Sequence, residues 1–129
     1  MRNLYILGLY NNKYYIGLTK KTAQQRLSEH FRGRGAAWTR IHKPHCVERW
    51  IPGNFGGLDE DYLTKIYMYR HGIENVRGGT YSNVHFDRTQ LLTLQREFDH
   101  NRGACLRCGS MKHWVKDCKS TVHVSGTKL

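Results

Sequence analysis

Apolar and polar residues alternate loosely over residues 3–19, and the alternation breaks at the adjacent Asn11 and Asn12. Alternation with a period of two is typical of a strand with one buried face. Asparagine tolerates the positive φ that a tight hairpin turn requires. The pattern therefore predicts two β-strands joined by a turn at these asparagines.

The period changes to 3.6 after Thr22, because Ala23, Leu27 and Phe31 recur at every fourth position. This spacing is typical of a helix, which Thr22 can cap and which the glycines at 33 and 35 would end. Residues 36–44 have no period and are expected to form a loop, and residues 45–51 are a plausible third strand.

Two further amphipathic segments predict helices over 58–70 and about 88–98, with Asp59 and Asp87 near their starts. The order strand, strand, helix, strand, helix, helix predicts an α+β fold. We expect a small three-stranded antiparallel sheet with helices covering one face. The expected domains are residues 1–100, then a cysteine-rich segment at 101–121 and a loose tail at 122–129.

Charge favours a polyanionic partner. The chain has 21 Lys and Arg against 10 Asp and Glu, a formal net charge of +11. Most of the excess falls in residues 1–45 and 102–129, which flank a mildly acidic middle. On so short a chain such an excess indicates nucleic acid better than ordinary solubilising charge. No apolar run is long enough for a membrane span, and we expect neither membrane association nor a secretory signal.

Three of the four cysteines crowd into the last quarter of the chain, with the spacing C-x2-C-x4-H-x4-C. Three thiolates and one imidazole suit a closed, tetrahedral structural zinc site, so we predict Zn²⁺ bound by Cys105, Cys108, His113 and Cys118. So short a segment cannot bury a core, and metal binding would supply its folding energy. Crowded cysteines also favour a reducing compartment, so we expect a nuclear or cytoplasmic protein that is not secreted.

The spacing resembles the retroviral-type CCHC zinc knuckle, with Leu106 where an aromatic is common and Lys112 replacing a glycine. The resemblance implies binding of single-stranded nucleic acid, with bases stacked on aromatic side chains and phosphates held by cations. The candidates in this segment are Arg107, Lys112, Trp114 and Lys116; Trp114 could instead pack on the knuckle itself. Lys20, Arg32, Arg34 and Arg40 are the candidates near the N-terminus.

The first 80 residues carry a second resemblance. Tyr5, then nine residues, then Tyr15-Ile16-Gly17, then Arg26 and His30 in one helix, then Glu60 and Asn75, is similar to the GIY-YIG nuclease family. The first triplet here is Asn3-Leu4-Tyr5, which keeps the tyrosine. The resemblance covers roughly residues 2–80 and implies a GIY-YIG-like α+β fold.

The resemblance implies a role for each residue. Glu60 would bind one Mg²⁺ or Mn²⁺, and a tyrosine, Tyr15 or Tyr5 with Tyr15 preferred, would act as general base or position the water. Arg26 would hold the scissile phosphate through its guanidinium fork, and His30 would activate or relay. Asn75 would support the site by hydrogen bonding. A shared site requires both tyrosines on one sheet face, so we predict an odd-length loop, such as residues 11–13, or a bulge.

Each residue also has a structural explanation. The tyrosines could be cross-strand packing residues, Arg26 and His30 a solvated helix face, Glu60 a helix-dipole partner, and Asn75 a turn residue. Taken together, the residues favour a metal-dependent endonuclease acting on nucleic acid, DNA more than RNA, with the knuckle aiding binding of single-stranded or distorted substrate. The alternative is a non-catalytic nucleic-acid binder or chaperone on a nuclease scaffold.

Overall fold

The structure is a computed structural model that describes residues 2–129. These residues form, in order, β1 (Asn3–Leu9), β2 (Lys13–Thr19), α1 (Ala23–Phe31), α2 (Ala37–Ile41), β3 (Pro44–Ile51), α3 (Gly57–His71), β4 (Val76–Gly78) and α4 (Arg88–Arg102). Short 3-10 turns follow α3 and precede the last cysteine. The mixed α+β class predicted from the sequence is confirmed.

The sheet has four strands in the described part of the chain, in the order β3-β1-β2-β4, so the prediction of three strands was wrong. β1 pairs antiparallel with β2 and β3, whereas β4 pairs parallel with β2. β4 spans only three residues and ends in Gly78, which is too short to show a period of two. It lies between the predicted helices over 58–70 and about 88–98, where no strand was predicted.

Helices cover both faces of the sheet, which corrects the expectation of one covered face. His30 of α1 contacts Tyr5 on one face, and Tyr67 of α3 contacts Tyr14 on the other. The face of Tyr5 carries a core of Tyr5, Leu7, Leu9 and Trp38. Trp38 belongs to α2, so the segment 36–44, expected to be a loop, contains a short helix that contributes to this core.

The helix starts agree with the capping predictions. The Thr22 side chain accepts from the Gln25 backbone at the start of α1, and Asp87 does the same with Gln90 for α4. α4 continues four residues past its predicted end to Arg102, where Gly103 takes a left-handed φ of 73°. A left-handed glycine is a common way to end a helix.

The described chain divides into two compact units, the first ending at Val84 and the second comprising His85–Leu129. The first unit holds the sheet with α1 to α3. The second holds α4 and the cysteine-rich segment. This boundary differs from the expected domain limits, because α4 packs with the tail that follows it instead of closing the N-terminal domain.

Candidate active site

The hairpin register places both tyrosines on one face of the sheet. Tyr5 pairs with Gly17 and Leu7 with Tyr15, so the loop is the three residues 10–12. Asn11 and Asn12 take positive φ values of 66° and 59°. The predicted odd-length loop is confirmed, although it begins one residue earlier than expected. The Tyr5 and Tyr15 ring centroids lie 6.3 Å apart.

Tyr5 is fully buried, and its phenol oxygen joins two helix residues. It lies 3.0 Å from Nε2 of His30 and accepts a hydrogen bond of 2.9 Å from Nε of Arg26. Burial strongly raises the pKa of Tyr5, and the nearby Tyr15 adds to the shift. The phenol is therefore protonated at neutral pH, and Tyr5 is both a packing residue and a polar anchor for α1.

His30 is also fully buried, so the explanation of a solvated helix face is wrong for this residue. Its Nδ1 lies 2.8 Å from Oγ1 of Thr39. Burial, with Arg26 nearby, lowers the pKa of His30 to about 4. The imidazole is therefore neutral at pH 7 and can hold or pass a proton without carrying a permanent charge.

Two glycines leave room for this pair of buried rings. A Cβ added at Gly17 would lie 2.8 Å from Cε1 of Tyr5 and still closer to its phenol oxygen. A Cβ added at Gly35 would lie 2.8 Å from Cγ of His30 and closer to Nδ1. Separations under 3.0 Å force something to move, so glycine at these two positions is a steric requirement of the site.

Tyr15 differs from Tyr5 because its side chain is partly exposed, whereas Tyr5 is fully buried. Its ring lies 5.2 Å from the His30 ring, measured between centroids. Burial and the charge of Glu60 both raise the pKa of Tyr15. Tyr15 is therefore the tyrosine that a substrate can reach.

Arg26 connects the buried pair to the surface. Besides its bond to Tyr5, its Nη1 lies 3.5 Å from Glu29, and 23% of its side chain stays exposed. Glu29 also accepts a 2.6 Å bond from Lys21. The guanidinium is thus held at its Nε edge while part of it faces solvent.

Glu60 lies in the first turn of α3 and is half-buried. Burial and the neighbouring Asp61 raise the pKa of its carboxyl, and a hydrogen bond from the Leu18 backbone opposes the shift. Glu60 accepts from the backbone of Leu18 in β2, and its charge is among the causes that raise the pKa of Tyr15 and of Tyr5.

Asn75 is placed elsewhere. Its Oδ1 accepts from Nζ of Lys13 at 2.6 Å and its Nδ2 donates to the His71 carbonyl at 2.7 Å. Lys13 is the first residue of β2, and Leu18, whose backbone bonds Glu60, lies near the end of the same strand. At about 3.3 Å per residue, Lys13 and Leu18 are roughly 16 Å apart. Asn75 therefore supports the junction of α3 and β4 and does not bond the cluster directly.

Thr39 and Gly35 lie against His30, and the sequence analysis named neither as a site residue. Both lie in or beside the segment expected to be a loop, so no periodicity marked them. Asp61 was also missed; its carboxylate accepts 2.8 Å bonds from the backbone and the hydroxyl of Thr80, which holds the loop after β4 against α3.

The N-terminal basic candidates Lys20, Arg32, Arg34 and Arg40 are all exposed. Arg32 and Arg34 line an open cleft of about 440 Å³ together with Lys21, Gln25, Ser28 and Glu29. The cleft runs along the exposed side of α1, the helix that carries Arg26. Its excess of cations suits a phosphate backbone.

In the second unit, the ligand atoms of Cys105, Cys108, His113 and Cys118 all lie within 4.8 Å of one another. This spread and the soft donor set fit a tetrahedral structural zinc. A hydrogen bond from Arg107 lowers the pKa of Cys118 to about 6, which favours the thiolate that binds metal. The predicted zinc site is therefore supported by geometry.

The candidate nucleic-acid-binding side chains of the second unit differ in their exposure and in their bonds to the rest of the unit. Arg107 donates to Cys118 Sγ and to the Ser120 carbonyl, so it helps to shape the knuckle. Lys112 and Lys116 are exposed. Trp114 is 66% exposed and, with Lys112, lines a cleft of about 300 Å³. Its exposure argues against the alternative that Trp114 only packs on the knuckle.

The tail expected to be loose is tied into the second unit. His123 is buried, and its Nε2 lies 2.8 Å from Asp99 of α4. The Val124 backbone donates to the Cys108 carbonyl at 2.7 Å, and Val122 forms a β-bridge with Lys128. Residues 122–129 thus connect α4 to a zinc-ligand loop.

Comparison with known proteins finds two family models that match separate parts of the chain. The family model of the GIY-YIG catalytic domain matches residues 1–55, and that of the GAG-polyprotein viral zinc-finger matches residues 101–129. No curated protein and no solved structure matches the chain. The two resemblances are confirmed, in the expected order.

GIY-YIG domains are nucleases, so the first match supports endonuclease activity in general, and the zinc-finger match implies nucleic-acid binding. Glu60 and Asn75 lie beyond the first match, so their roles depend on position in the fold. Across the described chain, no helix combines the length and apolar character that crossing a bilayer needs.

Proposed function

We propose that the protein is a metal-dependent endonuclease that hydrolyses phosphodiester bonds in DNA. The observation that carries this proposal is the convergence of Tyr5, Tyr15, Arg26 and His30 on one sheet face with Glu60 beside them. These residues come from β1, β2, α1 and α3. The helix dipole also favours a carboxylate in the first turn of α3, so the proposal rests on all five residues together and not on Glu60 alone.

Each side chain has a proposed role that its position allows. Arg26, anchored at Nε by Tyr5, holds the scissile phosphate through the exposed part of its guanidinium. Tyr15, the accessible phenol, orients the attacking water, since its raised pKa keeps the proton on the oxygen at neutral pH. His30 and Tyr5 lie beneath them and fix the position of Arg26.

Glu60 fits the role of ligand for Mg²⁺ or Mn²⁺. Such hard cations take oxygen donors and are often held by one or two carboxylates, with waters and substrate phosphates completing the shell. Burial and Asp61 make the free carboxylate costly, and a cation would relieve that cost. When bound, the cation would neutralise charge on the phosphoryl group.

The second unit would select single-stranded or distorted DNA. Trp114 offers an exposed ring on which a base can stack, and Lys112 and Lys116 can meet phosphates. A reducing nuclear or cytoplasmic compartment would keep the three thiols available for zinc.

Cleavage of branched, nicked and single-stranded DNA, each with an RNA counterpart, in Mg²⁺ tests the proposal. Glu60→Gln should lower kcat on the order of 100-fold or more, because the substitution removes the charge and keeps the shape. Glu48→Gln, at an exposed position of β3, is the matched control and should cleave as wild type does. If wild type and Glu60→Gln bind the substrates but neither cleaves any of them, the nuclease proposal is wrong and the protein is a non-catalytic binder.

A further inference from the structure

Thr39 has a fully buried hydroxyl with two partners of different kinds. Its Oγ1 lies 2.9 Å from the Ala36 carbonyl and 2.8 Å from Nδ1 of His30. A carbonyl oxygen can only accept, so both contacts are hydrogen bonds only when the single hydroxyl proton of Thr39 goes to Ala36, whose carbonyl also accepts from the backbones of Thr39 and Arg40. The oxygen of Thr39 is then left as an acceptor, and Nδ1 of His30 must carry the hydrogen.

The other end of the chain of bonds is compatible with the same assignment. Nε of Arg26 can only donate, so the Tyr5 oxygen accepts from it and keeps its own proton available for Nε2 of His30. A neutral imidazole with its hydrogen on Nδ1 has a lone pair on Nε2 that accepts this proton. Five groups from Ala36 to Arg26 thus have one mutually consistent set of donors and acceptors.

We propose that Thr39 is a positioning residue that sets the Nδ1–H tautomer of His30 and thereby aims the Tyr5 proton away from the reacting phosphate. In the opposite tautomer, Nε2–H and Arg26 Nε–H would both point at the Tyr5 oxygen. The Tyr5 proton would then have to leave His30 and turn toward the open side of the cluster, where Arg26 and Tyr15 meet substrate. This inference rests on the proposed nuclease function for its consequence, but not for the tautomer itself.

The tautomer can be measured without any cleavage. In full-length, zinc-loaded protein with ¹⁵N-labelled histidine at neutral pH, we expect His30 to show a protonated Nδ1 and an unprotonated Nε2. Thr39→Ser keeps the hydroxyl and should keep this pattern. Thr39→Val removes it and should shift His30 toward the Nε2–H form. A wild-type protein with hydrogen on Nε2 overturns the proposal even if Thr39→Val fails to fold.

Kinetics test the consequence for the reaction. Thr39→Val should lower kcat about 10- to 100-fold with KM for DNA unchanged, and Thr39→Ser should restore most of the rate, as for other residues that orient a site residue from behind. Thr39→Val with wild-type kcat, or with an unchanged His30 tautomer, overturns the positioning role. A wild type that cuts nothing would remove the nuclease proposal while the tautomer measurement still decides this one.

Discussion

Gly17→Ala tests the steric basis of the candidate site with one methyl group. Gly17 pairs with Tyr5 across the hairpin, and the Tyr5 ring lies over the glycine. The new Cβ would lie 2.8 Å from Cε1 of Tyr5 and closer to the phenol oxygen. Ordinary carbon contacts begin near 3.5 Å, so the ring has to move by roughly 1 Å.

That movement is costly because Tyr5 is fully buried and bonded at its oxygen to Arg26 and His30. Overpacking of this kind costs about 1–3 kcal/mol of the free energy of unfolding. For a unit of this size, each kcal/mol lowers Tm by about 4–8 °C. A misplacement of about 1 Å at Arg26 is enough to lower cleavage on the order of 100-fold.

Thermal unfolding and cleavage kinetics on the same preparations measure both effects. Gly57→Ala is the matched control, because Gly57 has nothing within 4 Å of an added Cβ and lies in the first turn of α3. It should unfold at or slightly above the wild-type temperature. Gly17→Ala with wild-type Tm and wild-type cleavage would refute the idea that the glycine is there to admit the Tyr5 ring.

Two further predictions concern buried histidines. Burial lowers the pKa of His30 from 6.5 to about 4. Between these pH values the unfolded chain binds a proton at His30 that the folded state does not bind. The free energy of unfolding should therefore fall by about 3 kcal/mol as the pH drops from 6.5 to 4. The difference in unfolding temperature between pH 7 and pH 4.5 should be smaller in His30→Gln than in wild type. An equal difference in the two proteins would contradict this. His123→Ala should cost the second unit about 1–3 kcal/mol, because the buried Oδ2 of Asp99 loses its partner while Arg102 still bonds Oδ1. The exposed His100→Ala should be near neutral, and circular dichroism melts of zinc-loaded protein measure both.

Much of the fold could be predicted because strong local signals mark it. The alternation of residues 3–19 and the paired asparagines define the hairpin, and Thr22 and Asp87 cap their helices as expected. The cysteine spacing defines the zinc ligands in the same way. In each case the information lies within about fifteen consecutive residues, which is the range that periodicity and capping rules cover.

The elements that were missed depend on tertiary contacts. β4 is three residues long and is ordered by parallel pairing with β2, and α2 has five residues with no side-chain cap and is held by burial of Trp38. Neither could form alone, since short helices and single strands are unstable in isolation. The tail was missed for the same reason, because His123 acquires its partner only when α4 is present.

The two tyrosines show where sequence reasoning ends at the candidate site. The odd-length hairpin loop was predicted because a shared site needs Tyr5 and Tyr15 on one face, and the register agrees. Parity cannot say which phenol is covered. α1 and α2 cover Tyr5 through His30 and Trp38, while Tyr15 stays half-open. On the proposed function, the two tyrosines therefore have different roles: Tyr5 anchors Arg26 from beneath, and Tyr15 would face the substrate. Tyr5→Phe should then affect cleavage indirectly, by changing the position of Arg26, whereas Tyr15→Phe should affect the position of the attacking water directly.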